Sequence, residues 1–320
     1  MANSIELSIC ILTRDQPHLL PICVASCIGE IERAEISAEI VIIDNASIDA
    51  YPQRLAHLSS MIRILRHQEN LGFSAANNKA IRMSQGRFIL ILNDDAILQP
   101  GSLELMLHRL RSSPSVAAVG PKLLNPDGSL QRNFTNRRSP SLRGILCQLL
   151  FVEKMLERNA WTRDLFTMSR DLERSGETDH IAGACFLAKR EALEAVGLFD
   201  ENFYYLYEDG DLCYRLKDAG WQVVYLAEAR VTHVGSASLQ KLKWPDRNAM
   251  AFKSMIYYFQ KHSNWARRSL IRLTLALVLL LRLPVTVLRR MWVARSPRLG
   301  LRDSIRGSLR AVRVLLLEWD

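Results

Sequence analysis

The sequence predicts an α/β protein: a mainly parallel sheet flanked by helices, followed by a basic, amphipathic helical tail. Three observations predict this. Short apolar runs alternate with amphipathic stretches through residues 7–111, the pattern of strands joined by crossover helices. Polar residues stand just after successive runs, where open α/β sheets form their ligand crevice. The formal net charge of +9 lies wholly in residues 266–320, which hold 12 Arg against three acidic residues.

Taken in order, Leu7–Leu12, Glu39–Ile43, Ile62–Leu65 and Phe88–Leu92 read as buried strands. Pro17–Ile28, Tyr51–Leu58, Ser74–Ser84 and Ser102–Arg111 read as helices, with Pro100-Gly101-Ser102 as a helix start. Leu123–Asp179 is weakly patterned: Asn125-Pro126-Asp127-Gly128 is a turn, and Arg132–Arg143 is a basic stretch. That stretch reads either as a solvated loop or as a contact for a polyanionic acceptor. Strand character resumes over His180–Lys189, and Arg190–Val196 reads as a short helix closed by Gly197. Asp209–Ala219 pairs Leu212 with Leu216 on one helix face and ends at Gly220. Trp221–Tyr225 is a further strand, ahead of Val231-Thr232-His233-Val234-Gly235.

Thr13, Asp44-Asn45 and Asn93-Asp94-Asp95 each follow a strand, which places them along one rim. Asp and Asn also end strands and begin turns for purely structural reasons, but three such sites in register point to a ligand. Carboxylates on a rim can hold a hard divalent cation, which can hold a diphosphate. A second acidic group, Glu208-Asp209-Gly210-Asp211, stands at a helix start. Capping and the helix dipole favour acids there, and such an acid can also take a proton from an attacking hydroxyl. Together the two groups suggest an enzyme that moves a group off a nucleoside diphosphate.

Residues 1–265 balance 30 basic against 30 acidic side chains, which argues against a nucleic-acid groove. The six cysteines contain no Cys-x-x-Cys pair and sit mostly among apolar neighbours. They read as reduced core residues rather than a disulfide framework or a zinc site. No signal peptide is expected, because strand character begins almost at once. In the tail, Ser269–Leu288 is apolar but broken by Arg272, Arg282 and Pro284. Its longest uncharged run, Leu273–Leu281, falls short of the ~20 residues a spanning helix needs. Leu309–Leu317 again mixes arginine with apolar residues, and Trp292 and Trp319 suit a headgroup layer. Peripheral attachment to an anionic membrane is the favoured reading; a helical dimer element and true spanning are the alternatives.

Several segments resemble the inverting family 2 glycosyltransferases of GT-A fold. Ile42-Ile43-Asp44-Asn45-Ala46-Ser47-Ile48-Asp49 resembles the family's V-D-N-x-S-x-D segment. Glu69-Asn70-Leu71-Gly72-Phe73-Ser74-Ala75-Ala76-Asn77-Asn78 resembles its N-x-G-F-x-x-G-N-N segment. Leu92-Asn93-Asp94-Asp95 resembles its metal motif. Gly183-Ala184-Cys185-Phe186 to Arg190, Phe199-Asp200-Glu201, and Glu208-Asp209-x-Asp211-Leu212-x-x-Arg215 resemble its acceptor-side block. Each is weak alone; their shared order and spacing are specific, and the Asn70–Asn78 segment looks most like rhamnosyltransferases that use dTDP-rhamnose.

The resemblance implies that Thr13 and Asp44 line the base pocket, with Asn70, Gly72 and Phe73 near base and ribose and Asn78 in the same nucleotide-sugar set. It implies that Asp95 binds Mg or Mn, and that His233 completes the coordination or is simply a satisfied histidine after a strand. Asp209 resembles the catalytic base, with Glu208 beside it touching acceptor or donor. The departures are Arg14-Asp15 where the family has Tyr-Asn, Asp94 where it has Pro, and Ala76 where it has Gly. Arg14 could reach a phosphate. Asp94 joins the donor site, and position favours Asp95 over it as the metal ligand.

The expected organisation is a nucleotide-sugar-binding half (1–122), an acceptor-binding and catalytic half of the same domain (123–262), and the basic tail (263–320). The expected donor is a dTDP- or UDP-sugar, dTDP-rhamnose first. The expected acceptor is a hydroxyl of a glycan or polyprenyl-linked glycan. The expected place is the cytoplasmic face of the plasma membrane, as a peripheral protein, with a homo-oligomer as a further candidate partner. Two other readings are a sugar nucleotidyltransferase and a non-catalytic nucleotide-sugar scaffold. The first wants a glycine-rich loop after the first strand, and Thr13-Arg14-Asp15-Gln16-Pro17 has no glycine.

Overall fold

A computed structural model describes residues 5–49, 51–131, 172–203, 205–235 and, with gaps at 265, 267 and 276, 244–278. The basic stretch 132–143 and the tail beyond 278, including Trp292 and Trp319, lie outside the described residues. The chain divides into two units. The first comprises Met1–Ser139, Arg170–Asn202 and Glu208–Ser238. The second comprises Pro140–Ser169, Phe203–Tyr207 and Leu239–Asp320.

The first unit is built on a nine-stranded sheet among the described residues. Its strands are β1 (Leu7–Thr13), β2 (Ala38–Asn45), β3 (Ile62–His67), β4 (Phe88–Asn93) and β5 (Ala96–Leu98), then β6 (Val116–Leu124), β7 (Gly176–Glu177), β8 (Cys185–Lys189) and β9 (Gln222–His233). The order is β3-β2-β1-β4-β8-β6-β9-β5, with β7 on β9. The first four strands pair in parallel; β1, β2 and β4 are the near-continuous apolar runs such a sheet favours, while β3, at the edge, is only partly buried. Helices α1 (Leu20–Arg33) and α3 (Ser102–Ser112) cover one face. Helices α2 (Gly72–Met83), α4 (Arg190–Ala195) and α5 (Glu208–Asp218) cover the other. The pleat sorts β1 accordingly: Leu7, Ile9 and Ile11 enter the first core and Cys10 the second.

Buried Glu30 of α1 fixes the start of α3. Its two carboxylate oxygens accept from the Gly101 and Leu103 amides, at 2.9 and 3.1 Å, which satisfies two donors that a helix start leaves open. Gly101 reaches φ +81° there, conformational room that glycine supplies at little cost. The five described cysteines, Cys10, Cys23, Cys27, Cys185 and Cys213, are buried free thiols. Burial pushes the Cys10 thiol up to about 12.

Three features differ from the sequence reading. Tyr51–Leu58 is a 3₁₀ helix rather than an α-helix. Strand β6 is not expected from the sequence, because Gly120-Pro121 argues against a strand. Pro121 borders a register shift against β9, where the ladder breaks and no amide donor is needed. Gly120 is there for space: a Cβ would lie 2.6 Å from Ile181 Cγ2. Strand β9 runs on to His233, past the Trp221–Tyr225 run: Ala227–His233 alternates buried with more exposed residues, and Ala227–Ala229 falls in the register shift against β6.

Two antiparallel pairings shape the rim. Strand β8 runs against β4 with Cys185 opposite Leu92, which brings Gly183-Ala184 to the carboxyl end of β4. Strand β9 runs against β5 with His233 opposite Ala96, next to Asp95.

In the second unit, Phe203 and Tyr207 pack on helix α6 (Trp244–His262). Phe203 meets Tyr257 edge-on at 4.8 Å between ring centroids. Ile271, Leu275 and Val278 join this core, while Leu270, Leu273 and Leu277 of the same helical stretch remain 57–64% exposed.

Candidate active site

The rim carries three groups of side chains. The first lies at the ends of β1, β2 and β3. Thr13 is paired with Asp44 in the parallel register, and both are buried. The Thr13 hydroxyl donates to Asp94 Oδ2 at 2.7 Å and lies 2.9 Å from the Tyr51 hydroxyl. Asp44 Oδ1 accepts from the Ser47 amide, whereas Oδ2 is buried without a hydrogen-bond partner and lies 3.5 Å from Arg66 Nε. Asn45 joins this rim to α2: its Oδ1 accepts from the Leu71 amide and its Nδ2 donates to Asn70 Oδ1. Asn70 Oδ1 also accepts from the Gly72 amide, and Gly72 opens α2 at φ +79°. Arg14 stands at the edge, its side chain about half exposed.

The second group is Asp94, Asp95 and His233. Burial pushes the Asp94 carboxyl up to about 7, with the Thr13 hydrogen bond opposing and the Asp95 charge adding to the rise. Asp95 Oδ1 lies 3.2 Å from His233 Nε2, and Asp95 Oδ2 accepts from the Gly235 amide. Among the described residues no three His, Cys, Asp or Glu side chains converge as a metal cage. The protein therefore offers a pair. The buried Asp95 carboxylate suits Mg or Mn, whereas the His233 imidazole nitrogen is a ligand that transition ions accept better than Mg does; Mg keeps several positions for phosphate oxygens and water.

The third group opens α5. Asp209 Oδ2 accepts from the Gly183 amide at 3.1 Å, and Oδ1 from the Gly210 amide at 2.8 Å. His180 Nε2 lies 3.0 Å from Oδ1, though out of line for a hydrogen bond. Beside it, burial pushes the Glu208 carboxyl up to about 8, and the Asp209 charge adds to this. Glu208 Oε2 is buried with no hydrogen-bond partner. Asp211, by contrast, is structural. It pairs with Arg215 at 2.7 Å, and Arg215 in turn donates to the Val196 and Leu198 carbonyls.

A short backbone path connects the second and third groups. The Asn93 amide donates to the Ala184 carbonyl at 3.0 Å, and the next residue back, Gly183, holds Asp209. The acidic turn after β4 and the first turn of α5 thus share one rim. Phe73 packs beside Gly183: a Cβ on Gly183 would lie 3.0 Å from Phe73 Cζ, and Phe73 meets Phe199 edge-on at 5.7 Å. Asn78 is buried, and its amide clamps both the amide and the carbonyl of Phe199.

Tyr51, Arg66, Gln131, His180 and Gly183 also border these groups and are not among the expected site residues. Arg66 follows a strand run as Thr13 and Asp44 do, so the same rule could have found it. Tyr51 opens a stretch with helical patterning, and nothing in their local sequence marks Gln131 or His180.

A profile of the family described as Glycosyl transferase family 2 matches residues 8–197. An N-acetylglucosaminyl-diphospho-decaprenol L-rhamnosyltransferase of Mycobacterium tuberculosis (strain ATCC 25618 / H37Rv) is 30% identical over 248 residues, 74% of this chain and 79% of that protein. The O-antigen biosynthesis protein RfbC of Myxococcus xanthus is 27% identical over 241 residues, 73% of this chain and 18% of that protein. The mannosyltransferase PcManGT from Pyrobaculum calidifontis, solved with GDP-Man and Mn2+, aligns with a TM-score of 0.55 at 15% identity, over 100% of this chain and 89% of that one. GalNAc-T7, solved with UDP, GalNAc and Mn2+, aligns with a TM-score of 0.54 at 16% identity, over 73% of this chain and 44% of that one. At these identities the two structures are alike in fold.

Proposed function

The chain belongs to glycosyl transferase family 2 and has the GT-A fold, and from that premise we propose that it is a metal-dependent, inverting rhamnosyltransferase. Its donor is dTDP-rhamnose, and its acceptor is a hydroxyl of a polyprenyl-linked glycan. The name of the mycobacterial relative supports both sugar and acceptor class. The observation that carries the reading is the Asn93–Ala184 and Gly183–Asp209 path, which sets a hydrogen-bonded carboxylate on the same rim as the acidic turn.

In this reading Thr13, Asp44 and Arg66 form the base end of the donor site. The buried Asp44 Oδ2, without a hydrogen-bond partner, suits the imide N–H of a pyrimidine. Asn70, Gly72, Phe73 and Asn78 build the loop and helix beneath it, and Arg14 reaches toward phosphate. Asp95 and His233 hold Mg or Mn, with Asp94 alongside. When bound, the cation neutralises charge on the departing diphosphate. Asp209 takes the proton of the acceptor hydroxyl; the oxygen bonds to the anomeric carbon as the bond to diphosphate breaks, and configuration inverts. Glu208, held neutral by burial up to about pH 8, donates rather than accepts a hydrogen bond to a sugar hydroxyl.

We place the protein peripherally on the cytoplasmic face of an anionic membrane. No helix among the described residues is long and apolar enough to cross one. The arginine excess of residues 266–320 and the exposed Leu270, Leu273 and Leu277 support surface contact.

The test is a thermal-shift and donor-consumption panel of dTDP-, UDP- and GDP-sugars with and without Mn2+. dTDP-rhamnose should stabilise most, by ~2.7 kcal/mol at a hundredfold excess over Kd, and should be consumed only with metal. Preference for a UDP- or GDP-sugar would overturn the donor assignment.

A further inference from the structure

We propose that Gln131 is a positioning residue for the cation site: its amide fixes His233 with the proton on Nδ1 and so presents the Nε2 lone pair toward Asp95. The inference rests on the metal-dependent reading above.

The orientation of the Gln131 amide follows from its partners. Gln131 Nε2 donates to the backbone carbonyl of His233 at 3.1 Å and to Asn125 Oδ1 at 3.2 Å. A backbone carbonyl can only accept, so the NH₂ end must face it. Gln131 Oε1 therefore faces His233 Nδ1, at 2.7 Å. An amide oxygen also only accepts, so Nδ1 must carry a proton, and a neutral imidazole then has its lone pair on Nε2. Asn93 Nδ2, an amide donor, lies 3.4 Å from that nitrogen, the kind of partner its lone pair calls for.

The backbone holds the clamp in place. The Gln131 amide donates to the Leu123 carbonyl at 2.9 Å, just past the bridge of Leu124 with Leu130. On the other side, Gly235 turns at φ +81°, and a Cβ there would lie 3.2 Å from Gln131 Nε2. The turn that closes on Asp95 is therefore shaped around the amide of residue 131.

The clamp sets two acceptors, His233 Nε2 and Asp95 Oδ1, 3.2 Å apart. Two lone pairs at that separation repel unless a metal cation, or a second proton on the ring, is shared between them. Without Gln131, His233 can move its proton to Nε2 and bond Asp95 directly. That arrangement satisfies both groups and hides the metal-binding nitrogen.

The test titrates Mn2+ alone into the full-length protein, with free ion read by electron paramagnetic resonance. Gln131→Ala should weaken Mn2+ binding by ~10–100-fold, the usual effect of losing a group that orients a metal ligand. Gln131→Glu, whose carboxylate still accepts from Nδ1–H, should bind closer to wild type than to Gln131→Ala. Ring ¹⁵N shifts of metal-free protein should show His233 Nδ1 protonated in wild type. Equal Mn2+ affinity of Gln131→Ala and wild type, equal weakening in both variants, or a bare Nδ1 would overturn the inference. Wild type binding no better than His233→Ala would instead overturn the metal site itself.

Discussion

Replacing Asp209 with Asn preserves the shape of the side chain while removing its charge and its ability to take a proton. The structural cost is bounded by its contacts. The carboxylate accepts from the Gly183 amide on Oδ2 and the Gly210 amide on Oδ1. The Asn oxygen can serve one of these, and the other amide then faces an NH₂ group. One lost hydrogen bond at a part-buried amide costs about 1–3 kcal/mol. The chemical cost is larger. General base help accelerates proton transfer by ~10²–10⁴-fold, or ~2.7–5.4 kcal/mol of barrier. Nucleotide affinity should hold, because Thr13 and Asp44 sit on β1 and β2, on the far side of β4 from β8. The assay pairs acceptor-dependent donor consumption with nucleotide binding and a chemical denaturation curve. The expected variant is folded, binds nucleotide like wild type and turns over at least a hundredfold more slowly. Turnover within tenfold of wild type would refute Asp209 as the base.

Two further predictions concern stability. Burial raises the Glu208 carboxyl from its ordinary 4.5 to about 8, so the folded state keeps a proton that the unfolded state releases at lower pH. Stability must then fall as pH rises from about 4.5 through about 8, by up to ~1.4 kcal/mol per pH unit. Glu208→Gln is neutral throughout and should gain on wild type between pH 5 and pH 9 in urea denaturation; parallel curves would contradict this. At Gly86, an added Cβ would lie 2.5 Å from the Ser8 nitrogen and 2.6 Å from the Leu7 carbonyl carbon. Backbone atoms of a central strand cannot yield cheaply, so Gly86→Ala should destabilise by at least ~1–3 kcal/mol. An unchanged unfolding midpoint would refute that steric account.

The apolar runs at Leu7–Leu12, Glu39–Ile43 and Phe88–Leu92 determine by themselves that the protein has a parallel sheet buried on both faces; Ile62–Leu65, read as a buried strand, is the partly exposed edge strand β3. Local patterning suffices because each strand's environment is the same along its length. The residues after those strands determine a ligand rim for the same reason: chain direction alone carries Thr13, Asp44 and Asp94-Asp95 to one edge. What local sequence could not decide is how the second half of the chain joins that edge. Strand β6 hides behind Gly120-Pro121, which is tolerated only because a register shift against β9 removes the need for an amide there. The antiparallel insertion of β8 beside β4 brings Gly183, and with it Asp209, to the acidic turn. The pairing of β5 with the end of β9 sets His233 against Asp95, and Gln131 meets that histidine from 102 residues away in sequence. Contacts between distant segments leave no periodic trace in either partner, so only the tertiary structure decides which carboxylate meets which histidine, and which amide holds it there.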